Sequence, residues 1–207
     1  MNPSKTGDLG EAKNQGCFAV VCYVPDPQKS IIEALRHSIP GKPLSPVHIT
    51  VLPPRPLPFD VDQANARVGQ VVRSATTFEV ELSEVLCFPE TDFLYLDIDT
   101  GSLQIRELHR ELNTTELYCA EAYEFRPHIT LGGPVPRDLM SETQQRVAEE
   151  WRNSSCPRRL RVEELVCLWL APGSESREWS RAGSFSLQRE ASRQTAAGAQ
   201  VPPALKS

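Results

Sequence analysis

Apolar side chains change their spacing along this chain, and the spacing predicts an alternation of strands and helices. Alternating or continuous apolar runs, which are typical of strands, lie at 18–24, 47–52, 78–82, 93–98, 126–131 and 160–170, with an edge strand at 183–188. Apolar residues three or four apart, as on one helix face, lie at 27–39, 61–72, 102–112 and 138–152. The pattern predicts a mixed α+β protein.

These elements form two rounds, each with the order strand, helix, strand, helix, strand. We therefore predict two lobes, 17–86 and 90–170 plus the edge strand, within one domain covering 17–189. If a pseudo-twofold axis relates the lobes, the middle strands of the two rounds face each other across a central groove. Residues 1–16 and 190–207 are poor in large apolar side chains, and we expect a disordered lead and tail there.

Proline, glycine and aspartate mark the boundaries around the two middle strands. The segment 53–58 reads Pro-Pro-Arg-Pro-Leu-Pro, which predicts a stiff connector after the first of them. Asp60 is placed to cap the helix that follows. The second middle strand is followed by Gly132, Gly133 and Pro134. Both strands are therefore predicted to be short.

The two middle strands carry one motif twice. It reads His-Ile-Thr-Val at 48–51 and His-Ile-Thr-Leu at 128–131. Side chains two apart in a strand share a face, so each strand presents a His and a Thr together, with apolar residues on the core side. A strand that begins at 126 also places Arg126 on the face of His128.

Two imidazoles that approach one phosphorus atom suit acid–base catalysis. Imidazole exchanges protons near neutrality, so one ring can take the proton of the attacking oxygen while the other protonates the leaving oxygen. Thr50 and Thr130 can donate O–H groups to the phosphate oxygens, and the guanidinium of Arg126 can grip them. The near symmetry of His48 and His128 leaves open which one is the base.

A single His-x-Thr in a strand is ordinary, whereas two copies at matching points of a repeat indicate a function. The other histidines, His37 and His109, lie in charged helical surroundings and are expected to be solvated. Arg55, in the proline-rich segment, is a weaker phosphate-binding candidate. Three aromatic residues near the motifs can stack on a base, although core or rim packing is the favoured interpretation of each: Phe88, Tyr123 and Phe125.

Composition limits the class of protein and the cellular compartment in which this chemistry is expected. The 207 residues carry a net charge of −5, which disfavours a protein that grips long nucleic acid through many phosphates. The six cysteines include no C-x-x-C pair, and we interpret them as reduced thiols of a cytoplasmic protein. The sequence has neither an apolar run of about 20 residues nor a secretory h-region. It also has no motif for a metal site.

The paired motifs resemble those of the 2H phosphoesterase superfamily, and in particular its 2′-5′ RNA ligase-like, or RNA 2′,3′-cyclic phosphodiesterase, group. The resemblance covers about 17–189 and implies a bilobal fold with antiparallel sheets lining the groove and helices outside. It implies cofactor- and metal-independent catalysis by His48 and His128. Where that group often has Ala-Arg after the second motif, this chain has Gly132 and Gly133.

The expected activity is the opening of a 2′,3′-cyclic phosphate, at an RNA end or in a small nucleotide, to a 2′-phosphate. We expect a monomer without a membrane partner. Two alternatives remain open: a 2′-5′ RNA ligase that runs the same chemistry in reverse, and a non-catalytic module that binds nucleotides or RNA ends.

Overall fold

The structure, a computed structural model, describes residues 16–41, 45–57, 59–173 and 178–189. In chain order its strands and helices are β1 Gly16–Tyr23, α1 Gln28–Arg36, β2 His48–Leu57, α2 Val61–Val72, β3 Phe78–Phe88, β4 Phe93–Ile98, α3 Ser102–Leu112, β5 His128–Gly132, α4 Arg137–Asn153, β6 Arg159–Val162, β7 Glu164–Leu170 and β8 Ser180–Ser186. A short 3₁₀ helix, Thr115–Leu117, follows α3. The predicted tail and nearly all of the predicted lead lie outside the described residues, and Gly16 already belongs to β1.

The strands form two four-stranded antiparallel sheets. Their orders are β2-β1-β7-β8 and β5-β4-β3-β6. One continuous hydrophobic cluster includes buried side chains from both sheets and all four α-helices, such as Val20, Ile32, Val68, Ile105 and Val147. The predicted α+β class with antiparallel sheets and flanking helices is confirmed. None of the described helices is both long and apolar enough to cross a bilayer.

The two rounds exchange a strand, which corrects the predicted lobe boundaries. β3, placed by sequence in the first lobe, lies in the second sheet between β4 and β6. The strand predicted at 160–170 is two strands that separate at Glu163: β6 pairs with β3, whereas β7 joins β1 in the first sheet. Apolar residues recur at even-numbered positions on both sides of Glu163 and Glu164, so the pattern was interpreted as one strand, although the two adjacent charges mark the change of sheet.

β2 runs through the proline-rich segment, which was wrongly predicted to be a connector. Its pairing with β1 continues past the motif to Cys17 with Pro56 and Gly16 with Leu57. β2 is the edge strand of its sheet, and an edge strand tolerates proline where the missing N–H would face outward. The predicted cap of α2 is confirmed, because the Asp60 side chain accepts a hydrogen bond from the backbone N–H of Asp62 at 3.0 Å.

The helices that precede the two motif strands cross between the sheets. α1 packs against β5 of the second sheet, and α3 packs against β2 of the first. The predicted apolar stripe of α3, Ile105, Leu108 and Leu112, is buried. Each motif strand is therefore supported by the helix of the other round.

Candidate active site

The two motif strands have the same pattern of exposure. Ile49 and Val51 in β2, and Ile129 and Leu131 in β5, are fully buried. The His and Thr of each motif are partly exposed on the opposite face. Alternation along each strand thus presents one imidazole and one hydroxyl, as the sequence predicts.

Each strand also carries a register irregularity at the fourth residue of its motif. Opposite β2, the pairing steps from Thr50 with Val21 to Leu52 with Val20. Opposite β5, it steps from Thr130 with Tyr95 to Gly132 with Leu94. Val51 and Leu131 are left without a partner in these registers. Such β-bulges bend a strand and re-aim neighbouring side chains, so the same distortion follows the His-x-Thr in both copies.

One cavity of about 850 Å³ brings the predicted site residues together. Its walls include both members of each motif and a guanidinium: His48, Thr50, His128, Thr130 and Arg126. β2 and β5 are the outer strands of their sheets and lie against each other. The cavity is therefore formed where the two sheet edges meet.

Both imidazoles are held by a backbone oxygen two residues earlier. The Nδ1 of His48 lies 2.7 Å from the oxygen of Pro46, and the Nδ1 of His128 lies 2.7 Å from the oxygen of Arg126. A carbonyl only accepts hydrogen bonds, so Nδ1 carries the hydrogen in each ring. In the neutral rings Nε2 is then the basic nitrogen.

Burial lowers the pKa of both histidines. Desolvation is the main cause in each, and the charge of Arg36 lowers the pKa of His48 further. The backbone acceptors raise each pKa and offset part of the effect. The charge of His48 also lowers the pKa of His128, so protonation of one ring disfavours protonation of the other.

An aromatic wall supports His128. Phe88 stacks on Tyr95 with ring centroids 4.0 Å apart, and both contact the imidazole edge to face. Tyr95 also anchors Arg126, whose Nη1 donates to the phenol oxygen at 2.6 Å. β5 begins only at His128, so Arg126 is not on the strand face as predicted. Its bond to Tyr95 fixes it at the cavity wall instead.

A backbone oxygen of each motif strand accepts a hydrogen bond from a side chain on the helix of the other round. Arg36 of α1 donates from Nε and Nη2 to the oxygen of Thr130, at 3.2 and 2.7 Å. His109 of α3 bonds through Nδ1 to the oxygen of Val51 at 2.9 Å. Exposed strand edges readily pair with one another, and these side chains occupy acceptors that such pairing would use.

The prediction of a solvated His109 is wrong. Its side chain is only 12% exposed, and its ring stacks on Phe125 with centroids 3.7 Å apart. The charged neighbours of His109 along α3 predict a solvated ring. Its contacts come instead from β2 and from the segment before β5, which are distant in sequence. His37, by contrast, is exposed at the end of α1, as predicted.

Arg55 is a structural residue, although it borders the cavity. It is 2% exposed and forms an ion pair with Glu121 at 3.0 Å. It also donates to the oxygens of Pro53 and Leu117 and to the side chain of Asn113. These bonds engage its guanidinium and fasten the segment 113–121 to β2. They use four of its five N–H groups and leave one for a phosphate.

No three His, Cys, Asp or Glu side chains stand together as a possible metal-binding group within the described ranges. The six cysteines are free thiols. Burial raises the pKa of Cys22 and of Cys167 to about 12. These two cysteines are therefore neutral core side chains.

Two antiparallel sheets that meet at a cavity, each contributing a His-x-Thr pair, define a protein of the 2H phosphoesterase class. The model of the 2′-5′ RNA ligase superfamily matches residues 24–173, and the chain belongs to this family. The resemblance seen in the two motifs is thereby confirmed.

Individual relatives agree with this assignment. "Putative phosphoesterase BH1439" of Halalkalibacterium halodurans is 28% identical over 109 residues, which cover 48% of this chain and 63% of that protein. The chain thus matches less than two thirds of that relative's length. Escherichia coli LigT complexed with 3′-AMP has a TM-score of 0.58 at 14% identity, covering 84% of this chain and 99% of LigT. TT0787 of Thermus thermophilus has a TM-score of 0.59 at 16% identity, with 84% and 100% covered. At these identities the structural likenesses concern the fold.

Proposed function

We propose that this protein is a metal-independent phosphodiesterase that opens 2′,3′-cyclic phosphates to 2′-phosphates. The carrying observation is the arrangement of His48 and His128 in one cavity, each with Nδ1 bonded to the backbone and Nε2 left basic. Membership in the 2′-5′ RNA ligase superfamily supports phosphodiesterase or ligase chemistry.

The reaction needs one neutral and one protonated imidazole. The neutral ring takes a proton through Nε2 from a water molecule, whose oxygen forms a new bond to phosphorus. The bond from phosphorus to the 3′ oxygen breaks, and the protonated ring delivers its proton to that oxygen. The products are a 2′-phosphate and a 3′-hydroxyl group, and the pair has exchanged its protonation states. His48 and His128 can each fill either role.

The remaining groups of the site serve the phosphate. Thr50 and Thr130 share the faces of their histidines, and we assign their hydroxyls as donors to the non-bridging oxygens, where negative charge increases during attack. Arg126 is assigned to substrate binding from the cavity wall, where Tyr95 holds its guanidinium. Neutral and cationic donors of this kind suit a monoanionic phosphodiester.

The cavity also has room and surface for a nucleoside. Its volume of about 850 Å³ lies in the range of small-molecule sites, roughly 300–1,000 Å³. Tyr123 lines it and is 60% exposed, whereas Phe88 and Phe125 already stack on Tyr95 and His109. Tyr123 is therefore our choice for stacking on a base. LigT, a protein of similar fold, has been crystallised with 3′-AMP and with phosphate.

The test is turnover of 2′,3′-cyclic nucleotides and of RNA with a cyclic phosphate end, with EDTA present. The wild type should release 2′-phosphates, and His48→Ala and His128→Ala should each lower kcat by about 10²–10⁴-fold. His37→Ala is the matched control, because that ring is exposed directly after the end of α1. Undiminished activity in either site variant, or activity only with added metal, would refute the mechanism. Tight nucleotide binding without turnover would favour a binding module.

Ligation is the second candidate, because the matching family is named for it. The same histidines would then activate a 5′-hydroxyl of RNA in place of water. Incubation of RNA ends bearing a 2′,3′-cyclic phosphate with a 5′-hydroxyl acceptor distinguishes the two activities. A joined 2′-5′ product shows ligation, whereas a 2′-phosphate end shows hydrolysis.

A further inference from the structure

Arg36 lies at the point where the two motifs meet. It is the last residue of α1 and lines the same cavity as His48 and Thr130. Its Nε and Nη2 donate to the oxygen of Thr130, and its Nη1 donates to the oxygen of Ser45 at 2.8 Å. These contacts use three of the five N–H groups of a guanidinium. One N–H on each terminal nitrogen remains for another acceptor.

The charge of Arg36 is balanced only in part, by the more distant carboxylate of Glu33 one turn earlier on α1, which raises its pKa. Both acceptors are backbone oxygens, and among the described residues Arg36 forms no ion pair. Burial is nevertheless strong enough to lower its pKa. Arg55, on the same cavity, has Glu121 as its partner. A partly buried cation is costly without an opposite charge, so an anion in the cavity would be stabilised beside Arg36.

The strand end after the second motif cannot provide such a cation. A Cβ on Gly132 would lie 2.6 Å from the side chain of Ile39. Gly133 has a φ of +139°, and a Cβ there would lie 2.8 Å from the oxygen of Asp92. Ile39, which fills the space beside Gly132, lies three residues after Arg36. The end of α1 therefore blocks a side chain at Gly132 and also places Arg36 at the cavity.

We infer that Arg36 is a substrate-contacting residue whose two remaining N–H groups bind the phosphate between the motifs. This assignment rests on the proposed function for the identity of the substrate, but the anion site itself does not. Its position between the strands distinguishes Arg36 from Arg126, which is exposed and bonded to Tyr95.

Binding of inorganic phosphate, measured by calorimetry on the full chain, tests the inference without turnover. Arg36→Gln removes the charge and should weaken binding at least about tenfold, as expected for a lost charge-assisted hydrogen bond. Arg36→Lys keeps the charge and should lose less. Arg146→Gln is the matched control and should bind like the wild type, because Arg146 likewise donates to a backbone oxygen near α1, that of Ser38, but lies outside the cavity.

NMR titration of the histidines tests whether Arg36 acts through its charge or only supports β5 through its hydrogen bonds to Thr130. Besides burial, the oxygen of Pro46 raises the pKa of His48 and the charge of Arg36 on α1 lowers it. The ring of Tyr23 in β1 contacts the imidazole edge to face, and the charge of His48 acts in turn on His128 of β5. Loss of the nearby positive charge should raise the pKa of His48 in Arg36→Gln and leave it unchanged in Arg146→Gln. An arginine that only braces β5 would instead give equal phosphate losses in the Gln and Lys variants, with His48 titrating as before.

Equal losses of phosphate affinity in Arg36→Gln and Arg36→Lys, with an unchanged pKa of His48, would overturn the inference. Unchanged phosphate binding in Arg36→Gln would also overturn it. Failure of the proposed function is a different outcome: the wild type would turn over no cyclic phosphate, while its phosphate binding would still depend on Arg36.

Discussion

His109 donates from Nδ1 to the backbone oxygen of Val51, although the two residues are 58 positions apart in the chain. Val51 belongs to the first motif strand and lies at its register irregularity. The bond therefore holds the strand that carries His48 where β1 leaves it unsupported.

We expect His109→Ala to destabilise the protein by about 1–3 kcal/mol, because a buried backbone acceptor loses its donor and Phe125 loses its stacking partner. The free energy of unfolding in urea measures this. His37→Ala, at an exposed position, should change it by less than about 0.5 kcal/mol. Equal effects of the two substitutions would show that the contact with Val51 contributes nothing.

Arg55 is predicted to be important for stability rather than for phosphate binding. Arg55→Met leaves Glu121 partly buried without its cation and should cost about 3–5 kcal/mol. Arg137→Met is the comparison, because Arg137 pairs with Asp92 while its side chain is 83% exposed, and such a pair contributes less than about 1 kcal/mol. Urea unfolding of both variants provides the measurement. A weaker affinity for phosphate with unchanged stability would contradict the structural role.

Local patterns in the sequence predicted much of this fold. β4 and α3 have the predicted bounds, Asp60 caps α2, and the two-residue alternation places the His and Thr of each motif on one face. These features depend on neighbours within a few residues. They are therefore encoded locally.

Long-range contacts account for what the sequence did not predict. The change of sheet at Glu163 depends on which strands lie alongside β6 and β7. Similarly, Arg36 bonds to Thr130 across 94 positions, and its own helix gives no sign of that partner. Position on a sheet edge, which a single strand does not reveal, explains why prolines continue β2.

Conservative substitutions should measure the contribution of the two threonines to catalysis separately from that of the histidines. Thr50→Val and Thr130→Val keep shape but remove a donor to the phosphate, and each should lower kcat by about 10²–10³-fold. Thr→Ser at the same positions should retain most activity, because the hydroxyl remains. Thr76→Val, at an exposed position outside the cavity, is the control. Full activity of both Val variants would remove the threonines from the mechanism.

The pH dependence follows from the lowered histidine pKa values. Catalysis needs one neutral ring, lost as pH falls, and one protonated ring, lost as pH rises. Because the pKa of each ring lies below the usual 6.5, kcat/KM should follow a bell with its maximum on the acid side of 6.5. The kcat profile should lie at higher pH, since a bound phosphate anion favours imidazolium. Rates measured from pH 4 to 9 decide this, and a kcat/KM maximum above pH 7 would contradict it.

The exchange of strands between the two sheets has a consequence for biosynthesis. On the nascent chain, β1 and β2 can form only a two-stranded ribbon until Glu164–Leu170 has left the ribosome, and such ribbons are marginally stable by themselves. β3 likewise waits for β4. The first sheet, and with it the pocket between the two motif strands, is therefore completed only after β7 has been synthesised.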